Sequence, residues 1–169
     1  MLILECLLVY TIIFSFAQET IREMDFQYQG LCYAITDYDR YEVEVTIQND
    51  SSSMENQTNY IGLDSVHIPA IVLGTDDHSY TVVGIGRCAF MDCYSLRKVY
   101  LPETAKYILG WAFMGCQNLE YVSIPDHFEK IEAYVFIDCV SLQKPIFPST
   151  TLIDTHTFMW SPYEHTIIP

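Results

Sequence analysis

Ile85-Gly86-Arg87-Cys88-Ala89-Phe90-Met91-Asp92-Cys93-Tyr94-Ser95-Leu96 opens a pattern that the chain then repeats at a fixed spacing. Phe90, Phe113 and Phe136 stand twenty-three residues apart. So do Cys93, Cys116 and Cys139, then Leu96, Leu119 and Leu142, and also Ile85, Ile108 and Ile131. Leu101-Pro102, Ile124-Pro125 and Phe147-Pro148 mark the same interval. Independent columns sharing one period are the signature of a solenoid, in which each repeat buries its apolar side against its neighbours.

Each repeat divides into parts with different local physics. Leu119-x-x-Val122-x-Ile124 reads as a short strand, closed by Pro125, whose missing N–H would leave a gap in a ladder. A second short extended piece is expected around Ile131. Ala112-Phe113-Met114-Gly115-Cys116 and its copies lack alternation and are predicted as one or two helical turns. The strands should stack in parallel about 4.8 Å apart. Neighbouring cysteines in a column would then lie parallel rather than converging, too far for a disulfide, so Cys93, Cys116 and Cys139 are expected as free thiols. Cys32 and Cys88, outside the column, are the one pair left open to bridging.

Outward from the repeats, Leu63-x-x-Val66-x-Ile68-Pro69 has the shape of Leu96-x-x-Val99-x-Leu101-Pro102, but the interval is ten residues too long. The surplus fits a hairpin inserted at 70–83 around Gly74-Thr75-Asp76-Asp77. From Phe26 to Ile47 the pattern alternates: Leu31, Tyr33 and Ile35, then Tyr41, Val43, Val45 and Ile47, across a turn at Asp37-Tyr38-Asp39-Arg40. That predicts an antiparallel hairpin with one buried face, placed to cap the first repeat. Asn49 to Asn59 is a polar loop with two glycosylation acceptors, Asn49 and Asn56. Downstream, Tyr163-x-x-Thr166-x-Ile168-Pro169 restores the frame after a shortened repeat. Pro145 replaces the core valine of the preceding strand, which should therefore be short or interrupted.

Leu7 to Phe16 is a run of mostly apolar residues followed by Ala17, with Ser15 two residues before it. This matches a secretory signal over 1–17, although the leader carries Glu5 and no Lys or Arg; an uncleaved anchor is the alternative. Ten residues are too few to span a bilayer, and no later segment is long and apolar enough. The expected organisation is leader 1–17, hairpin cap and polar loop 18–62, and repeats 63–169. Half of the residues are apolar, and the net charge is −14 from 22 acidic and 8 basic residues. That charge argues against nucleic acid and against docking on anionic lipid.

With those residues laid out, the chain resembles the BspA-like leucine-rich repeats of surface and secreted proteins. Their signature is Ile-Gly-x-x-Ala-Phe-x-x-Cys-x-x-Leu-x-x-Val-x-Ile-Pro, and Ile85 to Leu96 follows it closely. Leu109-Gly110-Trp111-Ala112-Phe113-Met114-Gly115-Cys116 also follows it, with Ile108 one place earlier. Ile131 to Leu142 keeps Phe136 and Cys139 but has Glu132 for Gly and Val135 for Ala, and the copy at Ile153 to Trp160 has lost its Cys. The resemblance covers roughly 63–169. It implies an α/β leucine-rich-repeat solenoid with parallel strands, and an adhesive role toward a host or neighbouring cell.

For chemistry the residues offer little. There is no Cys-x-x-Cys, and the five histidines share no register with the cysteine column, so neither a metal site nor a cysteine nucleophile is expected. Gly84-x-Gly86 lacks a nucleotide-binding context, and Asp76-Asp77 sits on a turn. No enzyme and no cofactor emerge. The candidate site is the concave strand face pointing away from the core: His67, Lys98, Tyr100, Tyr121, Ser123 and Lys144. A protein or glycan on another cell or matrix is the expected partner. The competing classes are an assembly module forming an end-to-end homodimer through its last repeat, and a truncated relative that binds nothing.

Overall fold

A computed structural model describes residues 21–47, 60, 62–143 and 145–163. The leader, Asn49, Asn56, Lys144, and Thr166 with Ile168 fall outside the described residues, and so do the expectations resting on them.

Eleven short strands are assigned among the described residues, and no helix. They form two sheets. The smaller contains β4 (Ser65–His67), β7 (Lys98–Tyr100) and β9 (Tyr121–Ser123), all parallel. Val66, Val99 and Val122 lie in register and are buried, with more exposed residues on either side. One inward valine per strand matches a two-residue pleat packed on a core.

The larger sheet runs through the corners of the same repeats. The end of β6 (Ser79–Ile85), then β8 (Tyr107–Ile108), β10 (Lys130–Ile131) and β11 (Leu152–Ile153) pair in parallel. The isoleucine column becomes a ladder of partners, Ile85 with Ile108, Ile131 and Ile153 in turn. Beyond β6 the sheet continues into β3 (Glu42–Thr46), β2 (Leu31–Asp37) and β1 (Phe26–Tyr28). β2 pairs antiparallel with β1 and β3, while β3 joins β6 in parallel. β5 (Ile71–Leu73) returns antiparallel on β6 and forms the inserted hairpin.

The N-terminal hairpin differs from expectation in two respects. Tyr41 lies in the turn with a left-handed backbone (φ 52°), not on an inward column. The hairpin is also buried on both faces, since Cys32, Ala34, Glu44 and Thr46 are covered as fully as Tyr33, Val43 and Val45. The segment before β1 accounts for part of this. Asp25 accepts from Ile35 N–H at 2.6 Å, Arg22 Nη1 donates to the Ile35 carbonyl at 3.2 Å, and Thr46 Oγ1 donates to the Arg22 carbonyl at 2.8 Å.

The predicted helical turns are not helices. Around each phenylalanine, N–H groups alternate between two kinds of acceptor. Met114 N–H donates to Trp111 and Cys116 N–H to Phe113, three residues back. Between them, Phe113 N–H donates to Val135 and Gly115 N–H to Ile137, one repeat ahead. A helix would send each of these donors to the carbonyl four residues back. Here the neighbouring repeat claims every second one, and the left-handed φ of Cys88, Trp111 and Tyr134 breaks the spiral at the same place in each copy. The described fold is therefore strands and turns, and the α component of the expected class is absent from the described residues.

The core is a set of columns. Phe90, Phe113, Phe136 and Phe158 stack at centroid spacings of 5.3, 5.6 and 5.3 Å with nearly parallel planes. Tyr60 tilts over the Phe90 end at 5.0 Å. Its hydroxyl donates to the Thr46 carbonyl at 2.6 Å and accepts from Cys32 N–H at 3.0 Å, tying the N-terminal hairpin to the ladder. The thiols run alongside: Cys116 Sγ donates to the Phe90 carbonyl at 3.0 Å and Cys139 Sγ to the Phe113 carbonyl at 3.1 Å. Cys32, Cys88, Cys93, Cys116 and Cys139 are all buried, and none is joined in a disulfide. Burial pushes every one of them up, Cys88 and Cys93 to about 12, which keeps them protonated and unreactive.

Candidate binding surface

Pairing of β4, β7 and β9 brings five of the six candidate residues onto one face. Ser65, Lys98 and Tyr121 are partners in one row, and His67, Tyr100 and Ser123 in the next. Because the valines between them point inward, these side chains point away from the core. Lys144, the sixth, lies outside the described residues.

Within the face the aromatic groups form a continuous line. His67 lies flat on Tyr100, with centroids 4.1 Å apart and planes 12° apart. Tyr100 meets Tyr121 at 5.6 Å and 52°, so the line crosses all three strands. Tyr121 is 43% exposed and Tyr100 half-buried beneath its neighbours. Ser123 Oγ is partly spoken for, accepting the Leu101 N–H at 2.8 Å. Lys98 is exposed, while Arg97 at the margin is held by Glu120 at 2.7 Å. The face thus offers aromatic area, an ammonium and hydroxyls, and among the described residues neither row carries a carboxylate.

A second concavity, of about 490 Å3, lies against β10 and β11 at the opposite corner and is lined by Arg87, Trp111, Lys130, Glu132, Tyr134 and Asp154 among others. Three of its four charged side chains, Arg87, Lys130 and Glu132, are paired with one another. Glu132 takes Arg87 at 2.6 Å, Lys130 at 2.8 Å and the Gly110 N–H at 3.0 Å. Burial opposes the Glu132 charge, but those three donors outweigh it and hold the carboxyl below its usual value. Arg87 also sits over the Trp111 ring at 5.6 Å, and Trp111 stacks on Tyr134 at 5.8 Å. A closed set of ion pairs and stacked rings is a brace between repeats.

Glu44, unmarked in the sequence, is a buried carboxylate on the outer side of β3. It accepts from Tyr107 at 2.9 Å and faces Arg22 at 3.6 Å. Burial raises its pKa more than these partners lower it. Tyr107 in turn lies against Gly84, where a Cβ would collide with the ring. The sequence signal for that contact is the glycine itself, placed opposite an aromatic residue in a paired strand. Asp76 and Asp77 sit at the tip of the β5–β6 hairpin. There Asp76 accepts from His78 N–H at 3.1 Å and Tyr80 O–H at 2.9 Å, a turn lock with no paired carboxylate facing a substrate. Among the described residues no group of three or more His, Cys, Asp or Glu side chains is placed to hold a metal. No helix there is long and apolar enough to cross a membrane.

Comparison with known proteins agrees with this architecture. No curated protein matches the chain in sequence. Among solved structures, it is similar to a leucine-rich repeat protein from Bacteroides ovatus, with 27% identity and a TM-score of 0.66, covering 81% of this chain. The chain spans only about a third (33%) of that protein's length. A leucine-rich repeat protein from Bacteroides capillosus shares the fold at 24% identity and TM-score 0.66, over 85% of this chain and 96% of the other. A leucine-rich cell surface protein from Faecalibacterium prausnitzii does so at 24% and 0.56, over 73% of this chain and 30% of the other. The profile of the BspA type leucine-rich repeat region matches residues 73–169 in six copies, more than half of the chain. Such repeats are typically scaffolds that bind proteins and carry no catalysis of their own. The chain belongs to the BspA-type leucine-rich repeat family.

Proposed function

We propose that the protein is a secreted or surface-displayed adhesive module that recognises a macromolecule, protein or glycan, on a neighbouring cell or matrix. The observation that carries this reading is the His67–Tyr100–Tyr121 line across three strands, with Lys98 beside it. Tyrosines supply large contact area at little cost in side-chain freedom, and interface energy concentrates in such anchors. The face is free to serve a partner because the columns that hold the repeats together point the other way. The leader, the sequons at Asn49 and Asn56, and a surface location described for the Faecalibacterium relative support display outside the cell.

The test is the double substitution Tyr100→Ala with Tyr121→Ala. Tyr100 is half-buried and its ring meets two others, so the pair should cost about 1–3 kcal/mol of stability and leave the chain folded, while binding to cells falls sharply. Binding that survives would remove the site from this face. A second reading, end-to-end assembly, draws on Ile146 and Leu152 in the last described repeat, which are 88% and 72% exposed. Light scattering after size exclusion decides it: a dimer that Leu152→Glu dissociates would favour assembly, and a monomer would remove it.

A further inference from the structure

The two sheets do not end together. Past β6 the larger sheet gains β3, β2 and β1, whereas the smaller sheet stops at β4 with nothing paired to its outer edge among the described residues. The register shows which main-chain groups that edge offers. Lys98 N–H donates to the Asp64 carbonyl and Ile68 N–H to the Tyr100 carbonyl, so the intervening Val66 directs both its N–H and its C=O toward β7. Ser65 and His67 therefore direct theirs the opposite way, and neither forms a backbone hydrogen bond there among the described residues. Those groups open into a cleft of about 410 Å3 beside β4, bounded on its far side by the β1–β2 turn at Gln29 and Gly30. It is the strand position that a preceding repeat would occupy.

We infer that β4 is a strand-addition site, at which an extended, uncharged segment of a partner protein pairs with the main chain of Ser65 and His67. Only an extended polypeptide matches donors and acceptors at this spacing, and sheet edges are recognised in this way. The cleft also sets the side chains. Among the described residues its lining carries no carboxylate, lysine or arginine, and Leu31 and Leu63 stand within it. An aliphatic residue can pack there as Val66, Val99 and Val122 do in their own strands, with polar residues to either side. An acidic segment is disfavoured twice, by desolvation in an uncharged cleft and by the net charge of −14.

The experiment uses the full chain, isotopically labelled, and a capped heptapeptide of alternating serine and valine. Bound peptide should slow amide exchange at Ser65 and His67 about tenfold, leaving β9 amides unchanged. Of two peptides N-methylated at alternate residues, the one methylated along the pairing edge should lose this effect and the other keep it. Ser65→Pro removes an outward N–H without touching the β7 ladder, and should weaken the peptide about fivefold. The methylated pair carries the test even if that variant fails to fold. Absence of slowing, uniform slowing of all amides, or indifference to the methylated edge would overturn the proposal. So would slow exchange at Ser65 and His67 in the free chain that is relieved when 49–58 is replaced by a glycine-serine linker. The edge would then belong to the protein's own loop.

Discussion

Glu44 shows how one buried side chain links the fold to pH. Its folded pKa lies above the ordinary 4.5 because burial disfavours the charge more than Tyr107 and Arg22 favour it. Folding therefore binds a proton as pH falls, and the carboxylate costs stability as pH rises from the unfolded value through the folded one. Glu44→Gln keeps an acceptor for Tyr107 and removes that cost. The variant should melt higher than the parent at about pH 7 and no higher at about pH 4, by calorimetry at both values. Gly84 makes the opposite point, that an absent side chain can be structural. Its missing Cβ is the space in which the Tyr107 ring lies. Gly84→Val should cost about 1–3 kcal/mol in urea unfolding, since the ring must move and loosen its bond to Glu44.

The repeated turn is the element that makes the stack cohesive. Every second N–H serves the next repeat, and the phenylalanine and thiol columns run through the same turns. Phe113 has a ring stacked on each side, and both it and its neighbours Phe90 and Phe136 are fully buried. Phe113→Ala should cost about 3–5 kcal/mol in denaturant unfolding and speed amide exchange in both adjoining repeats. Phe158 also has ring neighbours on two sides, but Phe147 and Tyr163 meet it less squarely, at 6.1 and 6.3 Å, and it is slightly exposed. Phe158→Ala should fall at or below the lower end of that range and leave exchange around Phe90 unchanged. Equal losses at the two positions would mean that the repeats do not transmit stability from neighbour to neighbour.

Taken as one object, the protein joins a mostly apolar core, with the Glu44 carboxyl buried beside it, to a large acidic surplus. A net charge of −14 on 169 residues sets like charges close enough to repel across the whole array. Salt screens that repulsion over about 8–10 Å near physiological ionic strength. Raising sodium chloride from about 20 to about 200 mM should therefore raise the melting temperature. The paired sites at Arg87–Glu132 and Arg97–Glu120 work against the trend, because their attraction is screened too. A melting temperature that falls with salt would mean that such local pairs outweigh the global surplus. The same charge bears on function, since it favours neutral or basic partners and leaves Lys98 as a local exception.

The period of twenty-three residues pointed to a leucine-rich-repeat fold with parallel strands, because a column of identical core residues is buried by packing copies against one another. Alternation around Val66, Val99 and Val122 likewise told which residues share a face, since a strand has only two. The turn was misjudged for a physical reason. Whether a run of apolar residues coils into a helix depends on where its N–H groups find acceptors, and here the acceptors belong to the next repeat. Burial of both hairpin faces depended on Arg22 and Asp25 lying beside β2, and the Glu44 and Gly84 contacts on Tyr107 arriving from more than twenty residues away. The open edge at β4 is of the same kind. A sequence marks a strand by its own side chains, but an unpaired edge is a property of what the rest of the chain leaves uncovered, and only the tertiary structure decides that.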